Sequence, residues 1–411
     1  MASLVETAFT PFPHGKVYNK DVITWNNATL IVRGIGTGNQ IEVLHHLRGK
    51  WTKRITSGDL PKSKWLVKDV QVINDKMYVL VPYRGTWCMT MYCLNLHTWI
   101  WKKLSPSGKA PLFRLSTSSW AYKGDIYFFG GVDPYQGFTS YNEVFSYNIA
   151  TNLWKWPAVG GDLPSQRCWP WIIIRDETVF LFGGSRHYNR IENTIYNDLH
   201  TLDMSNMIWR KVHGNLTTGS GPKGDLYPAR YTFTCISQSI AVVFGASCSG
   251  KFWQDDSRWE DDCWRLSLQS AERINESSSI WTKIPYSRLR TFHAAVLQPL
   301  SKRLWIIGGC DITSSKMDPR VPSSSIMKLN FNQLRSLKDL AMDYVARNIC
   351  AHDPKLASED QMTRQLRNEI EAYKCEIGDQ YSCPDEDWRN GCLLEEKRKS
   401  SILSVPRNTQ N

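Results

Sequence analysis

The sequence predicts an all-β protein, a six-bladed β-propeller with a C-terminal α-helical extension, and three observations predict it. An apolar run that ends on a glycine pair recurs: Ile126 to Phe129 before Gly130-Gly131, Val179 to Phe182 before Gly183-Gly184, and Leu304 to Ile307 before Gly308-Gly309. A tryptophan closes each unit, and Trp51, Trp101, Trp154, Trp209 and Trp281 follow one another at intervals of 50, 53, 55 and 72 residues. After Leu334 the apolar spacing changes from that of strands to that of a helix. Each piece has a physical role. β-Branched and aromatic runs suit buried strands, paired glycines let the backbone turn where a Cβ would clash, and the closing tryptophan wedges between neighbouring sheets. Repeats of about fifty residues mark propeller blades, and six of them close a ring with few free sheet edges.

The units follow in order. Residues 1–12 are a lead-in or a strand that completes the last blade, and residues 13–334 hold the six repeats. In unit one the strand Ile31-Val32-Arg33-Gly34 precedes Trp51, and Gly34-Ile35-Gly36-Thr37-Gly38 is a plain turn, because no helix pattern follows to make it a nucleotide loop. Units two to four end on Trp101, Trp154 and Trp209. Units four to six open with a turn and an arginine before the first strand, at Arg167, Arg230 and Arg290, where bonding to neighbouring loop carbonyls is the expected role. The stretched interval before Trp281 places an insertion in unit five, and its acidic segment from Trp253 to Asp262 reads as a solvated loop over the propeller face. Unit six lacks a closing tryptophan, and its last strand is Ile326-Met327-Lys328-Leu329-Asn330-Phe331. Residues 335–374 carry the helices, and residues 375–411 form a polar tail without periodicity.

Composition bounds the function. The 18 tryptophans and 12% aromatic content are explained by the repeats. No run of 18 apolar residues occurs, and the N-terminus lacks a basic region followed by an apolar core, so neither a membrane span nor secretion is expected. Eleven cysteines at irregular spacings read as reduced thiols of a cytoplasmic or nuclear protein. Cys375, Cys383 and Cys392 have no zinc-site spacing. The net charge of +11 favours partners that carry negative charge. There is no Gly-x-Ser-x-Gly elbow and no His-Glu-x-x-His. Gly219 to Gly224 lacks the Lys-Ser/Thr ending of a phosphate loop. A non-catalytic protein without cofactor or metal is expected, with proteins rather than nucleic acid or membranes as partners.

The glycine pairs, strand runs and closing tryptophans resemble kelch repeats. Downstream, Ser336 caps a helix whose apolar stripe is Leu337, Leu340, Ala341, Tyr344 and Val345, with Asp339 completing a capping box. Ser336 to Val345 resembles an elongin-binding BC box, with Leu337, Ala341 and Val345 at its three marked positions. A second stripe of Met362, Leu366, Ile370 and Tyr373 follows. Met362 to Ile370 resembles a cullin-2 box, with Thr363 where that family has proline. A propeller and two boxes in this order resemble the kelch-repeat substrate receptors of cullin-2 RING ubiquitin ligases. The resemblance implies that Leu337, Leu340, Ala341, Tyr344 and Val345 bind elongin C with elongin B. It implies that Met362, Leu366 and Ile370 bind cullin-2 with its RING subunit. A kelch scaffold whose terminal helices brace the propeller is the alternative.

The same resemblance implies that the propeller face captures the C-terminal carboxylate of substrate proteins. Arginine forks pair a carboxylate through short charge-assisted bonds, and aromatic walls exclude water. Arg190 falls six residues after the Gly183-Gly184 pair, where the family has one such arginine. Ser185 stands at the position of the other, with Arg186 beside it as a substitute. Tyr231-Thr232 follows Arg230 in place of Ser-Trp, Phe292-His293 keeps an aromatic-His pair, and Ser116 and Val132 replace a lysine and a tyrosine. The expected substrate-binding set is Arg190, Arg186, Tyr231, Phe292, Trp169 and Ser116.

Overall fold

Two-residue turns set the strands. In the third sheet Lys123 and Gly124 take positive φ of 44° and 85°, and the turn joins Tyr122 to its partner Asp125. Asn74 and Asp75 do the same in the second sheet, at 48° and 57°, with Ile73 paired to Lys76. Such turns match the right-handed twist of the strands they join. The computed structural model describes residues 3–7, 22–31 except 27, 39–61 except 47–49, 70–212 except 84–86 and 188–192, 231–249, 258–268, 271, 281–284, 289–298 except 292, 304–312 and 326–330.

The architecture is an all-β propeller. Five blades are built from strands that follow one another in the chain. Blade 1 is Val22–Trp25, Ala28–Ile31, Gln40–His45 and Lys50–Ile55. Blade 2 is Val70–Ile73, Lys76–Tyr83, Cys88–Asn95 and Ile100–Lys103. Blade 3 is Ser118–Tyr122, Asp125–Phe129, Val144–Asn148 and Leu153–Lys155. Blade 4 is Trp171–Arg175, Thr178–Phe182, Leu199–Asp203 and Ile208–Lys211. Blade 5 is Tyr231–Ser237, Ile240–Ser249, Arg258–Ser267 and Trp281–Lys283. A further four-stranded sheet joins the two ends of this region. Ala294–Leu297, Leu304–Ile307 and Ile326–Asn330 pair in order, and Ser3–Thr7 lies antiparallel on the last of them, from Ser3 opposite Asn330 to Thr7 opposite Ile326. Of the two expectations for residues 1–12, the completing strand is the one observed.

The core lies between sheets rather than within them. Leu30 and Val43 of blade 1 pack with Val79 and Leu94 of blade 2. Leu80 and Met91 meet Phe128, Phe145 and Trp154 of blade 3. Trp120 and Phe129 meet Leu181, Leu202 and Trp209 of blade 4. Phe180 and Phe182 meet Phe233, Trp264 and Trp281 of blade 5. Val242 and Phe244 meet Leu304 and Ile306 of the further sheet, and Trp305 and Ile307 of that sheet meet Leu44 and Trp51 of blade 1. The strand faces alternate between the two neighbours, so each tryptophan fills one seam.

The unit-five insertion departs from expectation. Arg258 to Asp262 belong to a strand, not a loop: the pairing of Ile240 with Ser267 continues unbroken to Ser249 opposite Arg258. Continued pairing satisfies the backbone of this acidic stretch, which a loop would leave to water. All the described strands lie in one unit, Met1–Arg335, and Ser336–Asn411 forms a second. The predicted BC-box residues Leu337, Leu340, Ala341, Tyr344 and Val345, and the cullin-box residues Met362, Leu366 and Ile370, lie outside the described residues.

Candidate functional site

In blades 3 and 4 the loop between the second and third strands and the linker that leads to the first strand meet on one face, as the bridges of Leu115 with Val132 and of Cys168 with Ser185 show. A buried arginine organises both of these meetings. Arg167, fully buried, donates from Nε to the Ser165 carbonyl at 2.9 Å and from Nη1 to the Gly183 carbonyl at 2.9 Å. It clasps Asp198 with two bonds, of 2.5 and 2.9 Å, and lies 4.1 Å from the Tyr196 ring centre. Arg114 repeats the arrangement with Leu112, Gly130, Glu143 and Tyr141. Each arginine precedes the first glycine of its pair by the same 16 residues. Glycine is required there: Gly183 and Gly184 have φ of 65° and 97°, and a Cβ on Gly184 would come within 3.0 Å of the Cys168 carbonyl.

The charges around this frame are held in fixed states. Burial raises the Asp198 carboxyl, but the hydrogen bonds and charge of Arg167 outweigh it, and the net shift is below the usual carboxylate range. His200, 3.6 Å from Asp198, is lowered to about 4, because burial outweighs the carboxylate. His293 is lowered to about 3 by burial and by the charge of Arg290. Its Nε2 lies 3.4 Å from the Thr232 hydroxyl, and its ring meets Phe244 edge to face. Arg167 bonds loop carbonyls as expected, and Arg290 is fully buried beside His293.

Three of the six sequence-predicted pocket residues come together here. The Trp169 N–H donates to the Ser116 carbonyl at 2.9 Å, and both residues take positive φ, 53° and 61°. Cys168, next to Trp169, exchanges two backbone bonds of 2.8 and 2.9 Å with Ser185. That places Arg186 one residue from the same junction, in the hairpin Ser185–His187 with Asn193–Ile195. Ser185 is fully buried, whereas Arg186 is half-buried. Alternation along the strand puts Arg186 on the other side of the hairpin, so it does not replace Ser185 in place. Tyr231 starts the first strand of blade 5, opposite Gly245. Arg190 and Phe292 lie outside the described residues. Among the described residues no group of three His, Cys, Asp or Glu side chains is arranged for a metal ion.

Sequence reasoning missed two features of this face. Arg114 could have been found from its 16-residue distance to Gly130, the spacing of Arg167 and Gly183. The second feature is an aromatic cluster. Trp87, Phe113 and Tyr135 meet edge to face with ring centres 5.4 to 5.9 Å apart. They come from three separate loops and carry no common spacing.

Comparison with known proteins places this geometry. The family profile described as the KLHDC2/KLHL20/DRC7 Kelch-repeats domain matches residues 21–245, more than half of the chain. Kelch domain-containing protein 1 of Mus musculus is 24% identical over 291 residues, 64% of this chain and 65% of that protein. Kelch domain-containing protein 3 of Bos taurus is 28% identical over 27% of this chain and 30% of that protein. Host cell factor 2 of Homo sapiens is 31% identical over 51% of this chain and 26% of its own length. The chain thus spans less than two thirds of the length of these relatives. Among solved structures, that titled "Structure of YjhT" superposes with a TM-score of 0.53 at 14% identity, over 80% of this chain and all of the other, which supports the fold alone.

Proposed function

We propose, from the premise that the chain belongs to the KLHDC2/KLHL20/DRC7 kelch-repeat family, that it is a non-catalytic substrate-recognition subunit of an elongin B/C–cullin-2 RING ubiquitin ligase. The propeller is a protein-binding platform. The sheet that unites Ser3–Thr7 with Ile326–Asn330 serves as its sixth blade and closes the ring, and the segment after Leu334 carries the two apolar stripes of helical spacing in its sequence. The observation that carries the binding half is the convergence of Ser116, Trp169 and the Arg186 hairpin at one junction of the loop face. Trp169 would supply an aromatic wall at this junction, and Arg190, which lies in sequence between the two strands of the hairpin, is the arginine that the resemblance assigns to a free peptide C-terminus. The ligase half rests on the resemblance of Leu337, Ala341 and Val345 to a BC box and of Met362, Leu366 and Ile370 to a cullin-2 box. A small residue at Ala341 would let the elongin C backbone approach while Leu337 fills a pocket. Catalysis would come from the RING partner and its charged E2, and the complex would act in the cytoplasm or nucleus.

The test is co-purification. Leu337→Arg and Ala341→Arg should each abolish recovery of elongin B and C while the thermal unfolding of the propeller is unchanged. Retained elongins in both variants would leave the scaffold reading in its place.

A further inference from the structure

Six large apolar side chains are strongly exposed among the described residues, and two of them, Trp87 at 46% and Tyr135 at 40%, meet on the loop face with ring centres 5.4 Å apart. Trp87 belongs to the loop between the second and third strands of blade 2. Tyr135 belongs to the matching loop of blade 3, and Phe113 to the linker between the two blades. Buried Phe113 ties them together. Its N–H donates to the Trp87 carbonyl at 2.8 Å, and its ring stands 5.9 Å from Trp87 and 5.5 Å from Tyr135. The spot is therefore a fixed shelf, with Trp87 held at a φ of 53° that few side chains adopt. Exposed apolar groups gathered on one face mark contact surfaces, and tryptophan and tyrosine dominate binding energy where they occur.

The shelf is continuous with the junction described above. The linker runs three residues from Phe113 to Ser116, whose carbonyl receives the Trp169 N–H, and Cys168 then leads to the Ser185 hairpin. Three residues of chain span at most roughly 10 Å. Crossing from Ser116 through residues 168–169 to the hairpin adds about two interstrand spacings, again roughly 10 Å. An extended peptide covers roughly 10 to 20 Å with about three to six residues.

We infer that the Trp87–Tyr135 shelf, seated on Phe113, is a specificity subsite for a large apolar side chain about three to six residues upstream of the bound peptide's C-terminus. This deepens the peptide-terminus reading and rests on it. The substrate class is accordingly an extended C-terminal segment with an aromatic or branched aliphatic residue at that distance, not a bare terminal dipeptide.

The test uses the full-length chain and fluorescein-labelled dodecapeptides of a glycine-serine background. A single tryptophan is walked from the second to the tenth position before the carboxyl end, in free-acid and amidated forms, and binding is read by anisotropy. One register within the stated window should bind best. Trp87→Ala and Tyr135→Ala should each weaken it about tenfold, and Leu163→Ala, at an exposed leucine outside the shelf, should leave it unchanged. A flat register profile with free-acid peptides still preferred overturns the shelf and spares the terminus reading. A sharp register that amidated peptides share overturns the terminus reading and spares the shelf. Failure of every peptide to bind overturns both. A change of self-association in the Trp87→Ala protein, with peptide binding intact, assigns the shelf to a second copy and overturns the inference.

Discussion

Arg167 shows how a single residue fixes the loop face. Its side chain is fully buried, and it spends its donors on two backbone carbonyls and a carboxylate that is only 20% exposed. Removing one partner of such a pair leaves the other charge without compensation in a poorly solvated site. Arg167→Ala is expected to destabilise the propeller by about 3–5 kcal/mol. Arg114→Ala should cost less, because its partner Glu143 is 50% exposed and water can take over the lost bond. Denaturant midpoints of the two variants check this, and an equal or reversed order would show that the carboxylate's burial does not set the cost. The turn and arginine before the first strand were legible in the sequence for Arg167. The partners were not, since Asp198 is 31 residues away and only the strand pairing brings it back.

At the scale of elements, each outer strand faces the risk of pairing with another chain. Blades 2, 3 and 4 meet it the same way, with a glycine of the preceding linker laid parallel against the outer strand. Gly58 pairs opposite Trp101 and Gly161 opposite Trp209, while Ser107, just before Gly108, bridges to Leu153. Gly161 has a φ of 79°, and a Cβ there would stand 2.1 Å from the Trp209 carbonyl oxygen. Gly161→Ala should therefore lift the linker off blade 4, destabilise the fold by about 1–3 kcal/mol, and raise its tendency to aggregate on heating. Light scattering during a thermal ramp checks the second effect, and wild-type behaviour would mean that the cover is dispensable. Val179–Phe182, the glycine pair and Trp209 were readable because strand alternation and a fixed repeat are local signals. The Arg258–Ser267 strand was not. Its acidic composition points to solvent, and the pairing with Ile240–Ser249 overrides it.

For the whole molecule, the sheet that returns the chain to its start is flanked by two buried histidines, His46 and His293. His46 of the blade 1 region stands edge to face with Trp305 at 4.9 Å, and His293 packs on Phe244 and Thr232 at the other side of the same sheet. His46 is lowered to about 4 by burial and by neighbouring His45, and it bonds the Thr29 hydroxyl at 2.7 Å. His293, facing Arg290, is lowered to about 3. Both folded values lie below the unfolded value of about 6.5, so the unfolded chain takes up protons first as pH falls. Their stability contribution is complete above about pH 6.5 and is lost progressively toward pH 4. The melting temperature should fall across that window, and His293→Gln should flatten the fall. A melting temperature constant from pH 7 to 4.5 would rule out this linkage.

The sequence by itself determined the kelch repeat and the final strand Ile326–Asn330, because alternation, glycine pairs and tryptophan spacing are properties of neighbouring residues. Tertiary structure alone decided that Ser3–Thr7 pairs with that final strand, that Ser116 meets Trp169, and that Trp87, Phe113 and Tyr135 form one cluster. Each of these joins segments from different blades or from opposite ends of the chain. Their meeting depends on how sheets twist and pack around a common axis, which no local pattern encodes.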